Sequence, residues 1–435
     1  MRFTHLVPQS STARRMLPMI VLAALALRLA VTPFNNFEGL MNPDHLHAWE
    51  PGNVAEALLA GHGFGSPFGS TQPSAVMPPV YPLIVALIFR CFGIHTWASI
   101  FVAHALNCVL SALACIPMFL MARRSFGERA ALWAAWGWAF SPYGIYFAAA
   151  WAWATHLSLL CLCWLLYLSQ DLELTPRLTL WAGFALLAGF AGLNEPSVLV
   201  VVPFLLVLAC WRLAHAGKRW LLPAAVASVT LGAALSPWMI RNAVVFHRFI
   251  PMRDSMGLEL WMGNNGYSMR WTSDQLHPLH DPDELADYNR MGELAYMDHK
   301  AAQARVFIAG HPAWYAWMCL RRAVYLWTGY WSLSREYLAM EPTDPFNIPF
   351  ATALTLLAIC GLVAVWREKP FEAVRYGGVL VLFPAMYYFS HPEPYHLRPL
   401  DPLILMLGCH AILIWRARAR ESAGVAAAET AIQEA

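Results

Sequence analysis

The sequence predicts an all-α protein that crosses a membrane many times. Two observations carry that expectation. Of the 435 residues, 58% are hydrophobic and only 13% are charged, whereas a soluble domain carries about 25% charged residues. The apolar residues are also gathered into eleven stretches that are long enough, or nearly so, to cross lipid, and mean hydropathy is +0.45. With lipid as the main solvent, each segment must satisfy its own backbone polar groups, so these stretches are expected to be helices.

In chain order the stretches are Met16–Val31, Val80–Phe92, Trp97–Met121, Ala130–Phe147, Thr155–Leu168, Leu178–Leu193, Ser197–Leu213, Leu221–Ile240, Phe350–Trp366, Tyr376–Phe389 and Leu400–Trp415. That gives about eleven spans, within a range of nine to thirteen. Several are shorter than the roughly 20 residues a perpendicular span needs. Short helices imply tilt, a thinned bilayer, or a helix that stops at a cavity. The first stretch follows Arg14-Arg15 without a small-residue cleavage site and reads as a retained anchor. The nine cysteines lie almost entirely in apolar runs and read as small buried hydrophobes.

Orientation follows Lys and Arg in short loops. Basic clusters at Arg14-Arg15, Arg212–Arg219, Arg367–Arg375 and Arg416–Arg420 fit one cytoplasmic side, with Arg123-Arg124 left unassigned. This divides the chain into a cytoplasmic N-terminus (1–15), a transmembrane module (16–240) carrying an outer loop (33–79), an outer or interfacial segment (241–345), C-terminal spans (346–416) and a cytoplasmic tail (417–435). The outer segment contains an acidic-rich stretch, Asp283–Gly310, expected to be helical. It also contains an aromatic amphipathic stretch, Trp314–Trp331, with Arg321-Arg322 at its middle, which reads as an interfacial helix, with a tilted span as the alternative. The tail from Glu421 is Ala/Glu-rich and is expected to be disordered or a loose helix.

The first outer loop carries more chemistry than a connector needs. It holds Glu38, Asp44, Glu50 and Glu56, and no Lys or Arg stands between Arg28 and Arg90. Asn53–Leu59 reads as a short amphipathic helix, with Pro51 near its start and Gly61 past its end. Glu50 then sits at the helix entrance, where a carboxylate is favourable in any case. Pro78-Pro79-Val80-Tyr81-Pro82 opens the next span, since proline costs no hydrogen bond in a first helical turn.

These pieces together resemble a family. The outer loop's short helix ends in an L-x-x-G-x-G-F pattern, and PP-x-YP leads the next span. Phe126-Gly127, Ser141-Pro142, Ser236-Pro237-Trp238 with Arg241-Asn242, Phe249–Asn265 and His391–Pro402 follow in order. The whole, from about residue 16 to 416, looks like the polytopic GT-C glycosyltransferases, closest to the branch of dolichyl-phosphate-mannose–protein mannosyltransferases and aminoarabinose transferases. The resemblance implies a GT-C-like fold and a transferase that takes its sugar from a polyprenyl phosphate. It implies an acidic catalytic base in the first outer loop. Such enzymes usually carry Asp there, often as an Asp-Glu pair. This chain has Glu50, and Asp44 six residues earlier, as the alternatives.

The chemistry agrees with a carboxylate in that place. An attacking hydroxyl must lose its proton, so a positioned carboxylate serves as general base. Charge grows on the departing phosphate, and arginine forks stabilise it. Arg241, Arg253 and Arg398 are the candidate phosphate binders, although a span-end arginine also serves as an interfacial anchor. Glu56, His156, Glu195, His391, Glu393 and His396 are candidate substrate contacts. A polar cluster as dense as His391–Arg398 exceeds what a short connector requires. His277, His280 and His311 lack metal-ligand spacing, so no obligatory metal is expected, though a divalent cation is allowed. The expected partners are the lipid bilayer, the lipid-linked donor and a lipid, glycan or protein acceptor, with no nucleic acid. The competing readings are a transporter or flippase of lipid-linked glycans, which would favour midplane breaks and repeats, and a non-catalytic relative that only binds them.

Overall fold

The computed structural model describes residues 11–34, 49–266, 276–331 and 344–434, with positions 333, 335 and 338 between the last two. Among these residues the chain is helical and multi-pass. Six helical stretches are long and apolar enough to cross a membrane: Arg15–Phe34, Trp97–Phe126, Pro196–His215, Leu221–Phe246, Pro345–Glu368 and Tyr395–Ala423. Val80–Phe92 and Leu178–Asn194 are shorter apolar helices. These eight coincide with eight of the expected stretches. Of the other three, Ala130–Phe147 is divided by Ser141-Pro142 into α6 (Glu128–Ala139) and α7 (Pro142–Ala150). Tyr376–Phe389 is divided at Phe383-Pro384. Thr155–Leu172, α8, is a single helix buried along most of its length.

For the remaining labels, α1 is Ser11–Val31, α2 Glu50–Leu59, α3 Val80–Phe92, α4 Trp97–Leu113 and α5 Cys115–Phe126. After α8 come α9 (Leu178–Asn194), α10 (Val202–His215), α11 (Leu221–Phe246) and α12 (Met256–Gly263). The acidic stretch forms two helices where one was expected, α13 (Pro282–Met291) and α14 (Glu293–Gly310). Gly292 between them has φ +78°, a left-handed conformation that interrupts the helix and suits glycine. The interfacial candidate is α15 (Pro312–Thr328), which is not among the long apolar stretches. The chain ends in α16 (Asp344–Glu368), α17 (Pro370–Leu382), α18 (Ala385–Phe389) and α19 (Asp401–Glu434). The last runs unbroken through the expected loose tail, because Ala and Glu are strong helix formers.

The α6–α7 break exposes the C-terminal carbonyls of α6 inside the bundle, where no water can satisfy them. Arg28 of α1 does so. Fully buried, it donates from Nη2 to the Trp138 carbonyl (3.0 Å) and from Nη1 to that of Ala139 (3.2 Å). Nη1 also reaches the Ala24 carbonyl (2.9 Å) and Nε reaches Ser111 Oγ (2.9 Å). A cation at a helix C-terminus also opposes the helix dipole. Gly144 makes room for this arrangement: a Cβ there would stand 2.8 Å from Arg28 Nη2 and 3.0 Å from the Trp138 ring.

One end of the bundle is tied by polar side chains. Arg124 Nη2 donates to Asp171 (2.6 Å), and Gln170 Nε2 donates to Ser125 Oγ (3.0 Å), which also contacts the Tyr376 hydroxyl (2.6 Å). Arg375, fully buried, pairs with both Glu173 and Glu372, and Lys369 reaches the Ser125 carbonyl. The unassigned Arg123-Arg124 corner therefore lies with the Arg367–Arg375 cluster. The N-terminus of α8 marks the opposite end, about 27 Å away for 18 residues at 1.5 Å each.

A buried polar group left without a partner costs about 1–3 kcal/mol. Arg28→Leu, which removes the side-chain donor to the Ala139 carbonyl and leaves that of Trp138 only the Ser141 N–H (3.2 Å), is therefore expected to lower the unfolding temperature of the detergent-solubilised protein by several degrees. Arg28→Lys should recover part of the loss, and Gly144→Leu should reproduce it. Size-exclusion chromatography after a heating series measures all three.

Candidate active site

Helix α2 begins at Glu50, three residues before the expected start, and its orientation is fixed by its neighbours. Trp49 Nε1 donates to the Ala152 carbonyl (2.8 Å), and its ring meets Phe89 edge-on at 5.8 Å. Asn53 Nδ2 donates to the Pro67 carbonyl (2.7 Å). The Glu50 carboxylate consequently faces the stretch between α12 and α13, with Oε1 3.4 Å from His277 Nε2. Its charge also reaches Arg253 and Tyr395.

The loop after α2 is gripped by side chains between residues 241 and 293. Arg241 Nη1 donates to the Ser74 carbonyl (2.7 Å) and Nη2 to that of Phe64 (3.1 Å). The Ala75 N–H donates to Glu293 Oε1 (2.6 Å), and the Asp254 N–H donates back to the Ala75 carbonyl (3.1 Å). Arg253 Nε donates to the Val76 carbonyl (2.8 Å). A Gly/Pro/Ser-rich loop has many backbone groups outside regular structure, and these side chains satisfy them.

A cavity of about 180 Å³ lies beside this loop, walled by Glu195 and Ser197, Arg253, Glu259, Tyr387 and His396 among others. A smaller adjoining pocket is reached past Trp153, Thr155 and Tyr395. Arg253 stands between two carboxylates, with Nη1 3.8 Å from Glu195 Oε1 and Nη2 3.8 Å from Glu259 Oε1. These are charge contacts longer than hydrogen bonds, so both Nη groups retain donors toward the cavity. His391 lies between Glu259 (3.7 Å) and Glu393 (3.0 Å). His396 stacks on the Tyr387 ring at 4.1 Å, and its Nδ1 accepts the Glu393 backbone N–H (2.8 Å).

The two carboxylates on Arg253 diverge. Burial raises the pKa of Glu195, against the pull of Arg253. Burial also acts on Glu259, but His391 and Arg253 outweigh it and bring that carboxyl down to about 2. Burial alone would keep His391 neutral, yet Glu259 and Glu393 overcome it and raise the imidazole to about 10. At neutral pH His391 and Glu259 thus form an ionised pair beside the cavity, while burial pushes the neighbouring Glu195 carboxyl upward.

Of the residues singled out in the sequence, Glu50, Arg253, Glu195, His391, Glu393 and His396 meet at this end of the bundle. Asp44 lies outside the described residues. Arg241 is engaged with the loop carbonyls and does not line the cavity. Arg398 stacks on Tyr143 at 4.1 Å and pairs with Asp401 at 3.4 Å, on the side of the short 3-10 helix Pro394–Leu400 facing α7. Glu56 faces His95 at 3.5 Å, away from the cavity. His156 is buried below Thr155 and does not line either pocket. Among the described residues, no three His, Cys, Asp or Glu side chains are gathered to hold a metal ion.

Sequence reasoning missed Glu259 and His277. The signal for Glu259 is the pair of glycines around it in MGLELWMG. A Cβ at Gly257 would run into the Met297 carbonyl and one at Gly263 into the Ser390 carbonyl, so α12 lies directly on two backbones with Glu259 between them. Arg322 of α15, donating to Asn264 Oδ1 (3.1 Å) and to the Gly263 carbonyl, caps its C-terminus.

Comparison with known proteins bears on the fold. The oligosaccharyltransferase of Archaeoglobus fulgidus in its apo form superposes with a TM-score of 0.53 at 13% identity, covering 94% of this chain and 52% of that one. The chain has the GT-C fold. The archaeal oligosaccharyltransferase AglB in complex with an inhibitory peptide and a dolichol-phosphate gives a TM-score of 0.52 at 12% identity, over 95% of this chain and 52% of that chain. The present chain therefore spans about half the length of these proteins. ArnT from Cupriavidus metallidurans bound to undecaprenyl phosphate is covered over 78% of its length, and this chain over 93%, at a TM-score of 0.41 and 14% identity. Residues 76–240 match the family model described as dolichyl-phosphate-mannose-protein mannosyltransferase. That segment includes Glu195 but neither Glu50 nor Arg253. No curated protein matches the sequence.

The His391–Glu259 pair carries a pH signature. His391, raised to about 10 from 6.5, contributes stability that is complete below 6.5 and lost as pH rises through 10. Glu259, lowered to about 2 from 4.5, contributes stability that is complete above 4.5 and lost as pH falls through 2. Thermal unfolding in detergent should therefore show stability declining from pH 6.5 to 10, and His391→Gln should flatten that decline.

Proposed function

We propose that the protein is a membrane glycosyltransferase that moves a sugar from a polyprenyl-phosphate donor to a hydroxyl acceptor at the outer face of a bacterial inner membrane. The observation that carries this reading is the position of Glu50. It stands at the start of a short helix, its charge reaches Arg253, and Arg253 lines a cavity on a GT-C fold. The dolichol-phosphate held by AglB supports a lipid phosphate as the leaving group.

In this reading Glu50 is the general base. The acceptor oxygen bonds to the anomeric carbon as the bond from that carbon to the phosphate oxygen breaks. The acceptor's proton passes to Glu50, and the polyprenyl phosphate departs as an anion. Attack opposite the leaving group inverts the anomeric configuration. Arg253 meets the departing phosphate with its Nη donors, a charge-assisted contact that strengthens as charge develops. Glu195, His391, Glu393 and His396 hold the sugar and acceptor hydroxyls.

Two substitutions test the assignment. General base catalysis contributes about 10²–10⁴-fold, so Glu50→Gln should reduce transfer by that order while undecaprenyl phosphate binding persists. Transfer is read by mass spectrometry of envelope lipids and glycans from a deletion strain complemented with each variant, where the product is a single-sugar increment. An undiminished increment in Glu50→Gln would overturn the role of this residue. Arg253→Gln should instead weaken undecaprenyl phosphate binding to the purified protein.

A further inference from the structure

The reading of Glu50 as base leaves its nearest partner without a role. His277 belongs to the outer segment, 227 residues further along the chain by subtraction of the two residue numbers. Yet its Nε2 stands 3.4 Å from Glu50 Oε1. The imidazole is held from three sides. Its Nδ1 accepts the Leu279 backbone N–H (3.2 Å). Phe68 meets the ring perpendicularly at 5.2 Å, with His280 5.7 Å away. Its own carbonyl accepts the N–H groups of His280 (2.9 Å) and Asp281 (3.0 Å), which fixes the backbone in a tight turn leading into α13.

The bond at Nδ1 decides the tautomer. A nitrogen that accepts from a backbone N–H cannot carry the proton of a neutral ring, so the proton sits on Nε2, the atom facing Glu50. A separation of 3.4 Å is long for a hydrogen bond, as acid–base contacts often are before substrate binds. From this geometry we infer that His277 is a positioning residue for the Glu50 carboxylate. It presents an N–H whose direction the Leu279 amide sets, engages one carboxylate oxygen and leaves the other for the acceptor hydroxyl. The inference rests on the reading of Glu50 as the base.

The turn at residues 276–281 offers a purely local role for the same side chain, and a substitution series separates the two. His277→Ala removes both functions. His277→Gln keeps an N–H donor of similar reach toward Glu50. His277→Asp keeps an acceptor for the Leu279 N–H, as Asp does in such turns, but sets a second carboxylate against Glu50. A misplaced catalytic group costs about 10²-fold. In the complemented deletion strain, His277→Ala should therefore reduce the single-sugar increment about 10- to 100-fold, His277→Gln should restore most of it, and His277→Asp should be at least as defective as His277→Ala. Membrane level and undecaprenyl phosphate binding of the purified variants serve as folding controls.

Restoration by Asp, or an undiminished increment in His277→Ala, would overturn the inference while leaving Glu50 as base. An undiminished increment in Glu50→Gln overturns both readings. A second measurement is independent of turnover. In the full chain labelled with ¹⁵N-histidine in nanodiscs, solid-state NMR should show a signal, absent from His277→Gln, that reports protonation at Nε2 and shifts in Glu50→Gln. Protonation at Nδ1 would overturn the inference.

Discussion

The cavity end of the molecule is organised around a charge that has nowhere else to go. Arg253 is partly buried at the cavity wall, where an unpaired guanidinium would be costly. Its partners come from three distant places in the chain: the Val76 carbonyl in the first outer loop, Glu195 at the end of a span, and Glu259 on α12. Pairing them brings the loop, the transmembrane module and the outer segment to one point. The cavity is the space left between those elements. Because the contacts to Glu195 and Glu259 are longer than hydrogen bonds, Arg253 is neutralised without being saturated.

The stretch from residue 241 to 293 also serves as a frame for the loop after α2. Arg241 and Glu293 spend their polar atoms on loop backbone, and Glu293 in turn accepts from the Tyr288 hydroxyl (2.9 Å). The two short helices of the segment are anchored by backbone contact at Gly257 and by the left-handed Gly292. What looks in the sequence like a second polar region is, in space, the other half of the same site.

Much of this was legible in the sequence. Composition and apolar stretches give the class, because lipid imposes helices. Eight stretches appear as apolar helices, and the short helix after the first span is present, one turn longer at its start. Glu50, Glu195, Arg253 and the His391–His396 cluster stood out because charged groups beside apolar runs are conspicuous. Other features were hidden for physical reasons. A proline pair such as Ser141-Pro142 marks a break but not whether both halves stay within one layer. Arg241 and Arg253, twelve positions apart, look alike in sequence, yet in space the first meets loop carbonyls and the second also stands between two carboxylates. His277 could not be paired with Glu50, since hydropathy and helical period carry no information across such a separation.

The far end has a consequence of its own. Arg124–Asp171, Arg375 with Glu173 and Glu372, and the Gln170–Ser125–Tyr376 contacts join α5, α8 and α17 at the face opposite the cavity. A carrier that opens alternately to each side would have to part these elements on every cycle, breaking the buried Arg375–Glu173 pair at several kcal/mol. This bundle is sewn like a purse along one edge, and the cavity that Arg253 lines lies at the other end.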